Sequence, residues 1–84
     1  MTVQEQIRRY VIDEMGWSGE QKTLTDDLDL IDHHVLDSLA VVELSTLLEQ
    51  WYGFRVEATE LVYANFNSLG AIAKYVEHKR VAVQ

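Results

Sequence analysis

The sequence predicts an all-α fold: a small bundle of three longer helices and one short helix, with a long loop between the first two. Apolar residues recur at the helical period in three segments. These are Val3, Ile7, Tyr10 and Val11, then Leu44, Leu47, Leu48 and Trp51, then Leu69, Ile72, Ala73 and Val76. Start and stop residues mark the same segments: Thr2 and Gly16 for the first, Asp37 and Gly53 for the second, Asn67 or Ser68 before the third.

The first helix starts after Thr2, whose hydroxyl stands in capping-box spacing with Glu5. It is expected over residues 3–15, with Arg8 and Arg9 off the apolar face and Gly16 as its stop. Residues 16–36 form a long connection, and loops of that length in small domains are functional or pinned down. Leu24, Leu28, Leu30, Ile31 and Leu36 are the expected pins, with a short helical turn near Asp26–Leu30.

The second helix begins at Asp37, whose carboxylate can accept a hydrogen bond from the first turn. Ser38 follows at the positive end of the helix dipole. Around a wheel centred on Leu44, the residues Ala40, Val41, Leu47, Leu48 and Trp51 make a core face. Leu39, Val42 and Thr46 fall opposite, flanked by Glu43, Glu49 and Gln50. An ordinary surface helix is polar on that side. A serine at the positive end beside a small apolar strip is the pattern of a docking face.

After Gly53, Phe54-Arg55-Val56 is expected to be extended, with Phe54 and Val56 inward. Thr59–Tyr63 predicts the short helix. The last helix runs to about His78, with Lys79 and Arg80 at its negative end, where cations are favourable, and a fraying tail over Val81–Gln84.

The 84 residues are sufficient for one domain, residues 1–84, with one modest core. A hydrophobic content of 48% is too high for disorder, and a formal charge of −7 repels nucleic-acid phosphates while favouring basic patches on proteins. No cysteine is present, so the chain has neither a disulfide framework nor a thiolate nucleophile. The first residues lack the apolar run of a signal peptide, and no stretch approaches membrane-spanning length. The expectation is a soluble, cytoplasmic monomer that binds neither nucleic acid nor membrane.

Asp37-Ser38-Leu39 followed by Val42-Glu43-Leu44 resembles the attachment site of acyl and peptidyl carrier proteins. The resemblance extends through Asn65-Phe66-Asn67-Ser68-Leu69 and Ala71-Ile72-Ala73-Lys74-Tyr75-Val76. It implies a non-catalytic carrier with a covalent 4′-phosphopantetheine on Ser38, donated by coenzyme A. Asp37 then serves as cap and as a contact for the attaching enzyme's magnesium, and Leu39, Val42, Glu43 and Thr46 are the partner-binding residues. The implied partners are a phosphopantetheinyl transferase, an adenylate-forming ligase, and downstream tailoring or condensing enzymes. Many carriers have glycine three residues before the serine, where this chain has Val35. Val35-Leu36-Asp37-Ser38-Leu39 looks more like stand-alone aminoacyl carriers of the D-alanyl type, which implies aminoacyl or short-acyl cargo in non-ribosomal-peptide-like assembly. The alternatives are a carrier for fatty-acid or polyketide synthesis and an unmodified helical adaptor.

Other readings of the same residues are weaker. Ser38 with His33 or His34 and Asp37 does not make a hydrolase triad, because neighbours in one loop cannot easily be held in triad geometry. The G-x-S-x-G elbow is absent too, with Leu36 and Ala40 at the glycine positions. Asp26, Asp27, Asp29 and Asp32 invite a calcium loop, but Ile31, Asp32 and Ser38 occupy ligand and glycine positions that the motif needs filled otherwise. Trp51, Tyr52, Phe54, Phe66 and Tyr75 are expected in or at the rim of the core.

Overall fold

The computed structural model describes residues 2–15, 17, 19 and 23–83, with the side chains of 81–83 left aside. Four α-helices follow one another: α1 (Val3–Asp13), α2 (Ser38–Tyr52), α3 (Tyr63–Phe66) and α4 (Leu69–Val83). A 3-10 turn, Ala58–Glu60, precedes α3. Helix α4 packs against each of the other three, so it forms the spine of the bundle.

Each long helix starts as its first residues dictate. The Thr2 hydroxyl accepts the Glu5 N–H at 3.1 Å, and the Asp37 carboxylate accepts the Ala40 N–H at 2.8 Å. Ser68, not Asn67, caps α4, accepting the Ala71 N–H at 3.1 Å. Gly53 closes α2 in the left-handed region at φ 72°, a conformation that costs glycine little. Gly16 lies outside the described residues, and α1 ends at Asp13 with the Glu14 N–H on the Tyr10 carbonyl.

The core combines Val3, Ile7 and Val11 of α1, Leu44 and Leu48 of α2, Phe66 of α3, and Leu69, Ile72, Ala73, Tyr75 and Val76 of α4. Phe54 joins them from the extended segment, edge-on to Tyr75, and Val56 packs at the rim. Trp51 and Tyr52 are half-buried; the Tyr52 hydroxyl donates to Gln6 Oε1 at 2.6 Å and ties α2 to α1.

Three predicted boundaries move. The first is the end of α1, which stops at Asp13, two residues before the expected Met15; Glu14 and Met15 leave the helix as turn and bend. The short helix expected at Thr59–Tyr63 is instead the 3-10 turn followed by α3, because Glu57 and Glu60 close the turn on each other's backbone and Val62 is extended. Helix α4 continues to Val83, beyond the expected end at His78 and through a tail expected to fray. Its last turns are held from the side. Lys79 Nζ lies 3.0 Å from both Glu60 carboxylate oxygens, and the Arg80 guanidinium sits 5.4 Å above the Tyr52 ring.

The connection before α2 is stitched to the bundle by its leucines and backbone. Leu24, Leu30 and Leu36 are buried, and Leu28 and Ile31 are half-buried. The Leu30 N–H donates to the Asn67 carbonyl at 2.7 Å, and the Gly70 N–H donates to the Asp26 carbonyl at 2.8 Å. A Cβ on Gly70 would stand 3.1 Å from that oxygen, so the close approach favours glycine. The turn expected near Asp26–Leu30 is divided in two. The Leu28 N–H donates to the Thr25 carbonyl across Asp26-Asp27. A second turn starts at Asp29, which accepts the Ile31 and Asp32 N–H groups while the His33 N–H donates to its carbonyl. An aspartate that caps its own turn sets where that turn begins.

Candidate functional site

The path that delivers Ser38 begins at His34, which turns the chain through a left-handed φ of 59°. The N–H groups of Val35 and Leu36 then both donate to the Leu30 carbonyl, at 2.8 and 3.0 Å. Leu36 is buried, Asp37 is extended, and the helix starts at Ser38. Burying Leu36 directly before the cap leaves Asp37 and Ser38 facing solvent.

The sequence-predicted residues converge on this end of α2. Ser38 and Asp37 are exposed, as are Leu39, Val42, Glu43 and Thr46. Leu39 is 67% and Val42 48% exposed, large fractions for branched apolar side chains on a helix whose other side is core. Ala40, Val41, Leu47 and Trp51, expected inward, are half-buried, with Leu44 and Leu48 fully inside. Ser45, assigned to neither face, is buried, and its hydroxyl donates to the Val42 carbonyl at 2.6 Å.

Beside Ser38 runs a groove of about 370 Å³, lined chiefly by Ile31, Leu36, Val41, Val42, Leu61 and Phe66. Val62 and Tyr63 complete its far wall and are themselves 46% and 54% exposed. Sequence reasoning assigned them no role. The available signal was the apolar run Leu61-Val62-Tyr63 in a segment too short to bury all three. A larger depression of about 680 Å³ lies against α4, around Ser68, Lys74 and His78, but contains neither Ser38 nor any residue of α2. The smaller groove is therefore the relevant one, because Ser38 lines it.

The remaining polar groups near this end have structural tasks. The His33 ring is engaged at Nδ1 by the Asp29 carbonyl at 2.9 Å, and Asp27 accepts the Thr25 hydroxyl at 2.8 Å. Among the described residues, no three of His, Cys, Asp or Glu gather as metal ligands would. No helix among the described residues is long and apolar enough to cross a membrane.

This arrangement suits a covalent anionic group. Ser38 is an exposed hydroxyl at the N-terminus of a 15-residue helix, where unpaired N–H groups and the dipole stabilise a phosphodiester. A serine hydroxyl is a weak nucleophile that needs a base to activate it.

Comparison with known proteins leads to the same chemistry. Residues 5–76 match the model of the family described as phosphopantetheine attachment site. A D-alanyl carrier protein of Abiotrophia defectiva is 37% identical over 65 residues, covering 75% of this chain and 81% of its own length. An acyl carrier protein of Streptococcus pyogenes serotype M1 is 29% identical over 79 residues, covering 94% of this chain and 97% of its own. The exposed serine, the capped helix behind it and a match over nearly the whole chain agree: this chain belongs to the phosphopantetheine attachment family, a carrier that works through a covalent 4′-phosphopantetheine and not as an enzyme.

Proposed function

We propose that the chain is a stand-alone carrier domain, residues 1–84, whose attachment residue is Ser38 and whose cargo is an aminoacyl or short acyl group. The observation that carries the reading is the exposed Ser38 beside the capping Asp37, both lining the groove. A phosphopantetheinyl transferase supplies the base that takes the serine proton. Ser38 Oγ bonds to the pantetheine-bearing phosphorus of coenzyme A, and adenosine 3′,5′-bisphosphate leaves with the broken phosphoanhydride. Asp37 stands next to the reacting oxygen and is suited to share the transferase's magnesium. When bound, the arm supplies a terminal thiol for thioester formation, which this cysteine-free chain lacks.

The setting is the cytoplasm, and the chain works as a monomer in natural-product assembly of the non-ribosomal-peptide type. An adenylate-forming ligase loads the thiol, and tailoring or condensing enzymes use the cargo. Tethering keeps that cargo at high effective concentration for each of them. Leu39, Val42, Glu43 and Thr46 are the docking residues on α2. The D-alanyl carrier among the relatives supports an aminoacyl cargo, as does Ala40 where fatty-acid carriers usually place an acid.

A second reading, a carrier of longer acyl chains, is favoured by one feature: the groove is walled almost wholly by apolar side chains. One experiment separates the readings. Incubation with coenzyme A and a broad-specificity transferase is expected to add one arm to the wild type, read by intact mass, and none to Ser38→Ala. Holo protein is then offered to a panel of adenylate-forming ligases and to a malonyl transferase with a condensing enzyme. Aminoacylation supports the first reading, whereas efficient malonylation and elongation with no ligase active would establish the second. Absence of arm addition to the wild type would leave the unmodified adaptor.

A further inference from the structure

The large apolar residues exposed among the described residues are Leu39, Val42, Val62 and Tyr63. They come from two stretches separated by some twenty residues, yet Val42, Val62 and Tyr63 line one groove with Ser38. We propose that Val62 and Tyr63 form the second half of the surface that receives the arm-attaching transferase, with the Tyr63 ring as its preset anchor. This deepens the carrier reading and rests on it.

Three observations carry the proposal. The first is position. An enzyme that presents coenzyme A to the Ser38 hydroxyl must approach the groove that Ser38 lines, and Tyr63, itself more than half exposed, lines the same groove.

The second is preorganisation. The Tyr63 hydroxyl donates to the Asp29 carboxylate, so a ring that is 54% exposed is nevertheless tethered. Asp29 is itself fixed, because its other oxygen accepts the Ile31 N–H at 3.1 Å and the Asp32 N–H at 2.8 Å. An aromatic side chain ordered before binding loses less freedom on docking, and tyrosine is enriched among the residues that dominate interfaces.

The third is charge. From Thr23 to Phe54 the chain has no lysine or arginine but has Asp26, Asp27, Asp29, Asp32, Asp37, Glu43 and Glu49. From Val56 to Ala73 there is again no lysine or arginine, and Glu57 is added, while Glu60 is paired with Lys79 of α4. The occupant is therefore a transferase with an apolar contact rimmed by lysine or arginine. A second copy of this chain would set two anionic surfaces against each other.

The test uses the full apo chain with coenzyme A and a broad-specificity transferase, following arm addition by mass at varied carrier concentration. Tyr63→Ala is expected to raise KM about tenfold or more with kcat changed less than threefold. Tyr63→Phe, which keeps the ring and loses the tether, is expected to raise KM a fewfold, and added salt to raise it for every variant. If Tyr63→Ala loses its native circular dichroism, Tyr63→Phe and Val62→Ser carry the test. Unchanged KM in all folded variants, with the wild type modified normally, overturns the docking surface and leaves the carrier reading standing. No modification of the wild type removes both. Self-association in sedimentation that Tyr63→Ala abolishes would assign the face to a second copy and overturn the proposal.

Discussion

Helix α2 has two faces that respond oppositely to substitution, and the contrast can be worked out for Leu48→Ala and Leu39→Asp. Leu48 has no exposed surface and stands among the core residues of α1 and α4. Truncation forfeits its transfer free energy and leaves a cavity, together about 2–5 kcal/mol. A domain of 84 residues has roughly 4–13 kcal/mol in total, at about 0.05–0.15 kcal/mol per residue. Leu48→Ala therefore removes at least about a sixth of the stability, and Tm falls by roughly 8–40 °C. Leu39 is 67% exposed, so removing its buried third costs roughly 0.5–1 kcal/mol. It is also the second residue of α2, where a new carboxylate meets the positive end of the dipole and regains about 0.3–1 kcal/mol. The net change for Leu39→Asp is within about 1 kcal/mol of zero. Urea unfolding followed by far-ultraviolet circular dichroism measures both, and arm addition by mass gives the functional side. Leu48→Ala is expected to keep its transferase kinetics below its melting transition, while Leu39→Asp keeps its stability and slows modification. A Leu39→Asp protein that unfolds, or a Leu48→Ala protein that loses under 1 kcal/mol, would refute this assignment of faces.

Asp37→Ala removes the acceptor of the Ala40 N–H and is expected to cost about 0.5–2 kcal/mol, whereas Asp37→Asn retains a capping oxygen and costs less; urea midpoints compare the two. Glu60 accepts the Glu57 N–H, chiefly, and then hydrogen bonds from Lys79 and Tyr75, which together outweigh its desolvation and hold its carboxyl below the usual glutamate value. The folded value is depressed, so the stabilisation is complete above the unfolded glutamate value of about 4.3 and is lost as pH falls through the folded one. A carbon-detected titration of Glu60 is expected to show this low midpoint and its rise in Lys79→Ala; a midpoint at or above the ordinary value would contradict the geometry.

The long helices were legible because their signals are local. A cap, a stop and a period-3.6 face lie within one window of sequence, which is why Thr2, Asp37 and Gly53 stand where expected. The exposed face of the candidate site was legible for the same reason, since Ser38, Leu39, Val42 and Thr46 share one helix and all are exposed. Ser45 was not, because it lies at the border of the wheel, and its burial depends on a hydroxyl that satisfies itself on the Val42 carbonyl.

The second wall of the groove was illegible for a different physical reason. A helix of four residues, like α3, cannot stabilise itself, because nucleation is costly and it has too few turns to recover that cost. Its existence and direction depend on distant residues. Glu60 is held by Lys79 and Tyr75 of α4, Asn65 donates to the Glu60 carbonyl, and Tyr63 reaches across to Asp29 in the connection before α2. None of these pairings leaves a periodic trace, since each partner is an ordinary polar residue in its own segment. The same contacts that form α3 also aim Val62 and Tyr63 at the groove beside Ser38. Substitutions at Glu60 or Asp29, outside the α2 strip, are therefore expected to act on the proposed docking surface by re-aiming it, which would separate residues that contact a partner from those that hold the contact in place.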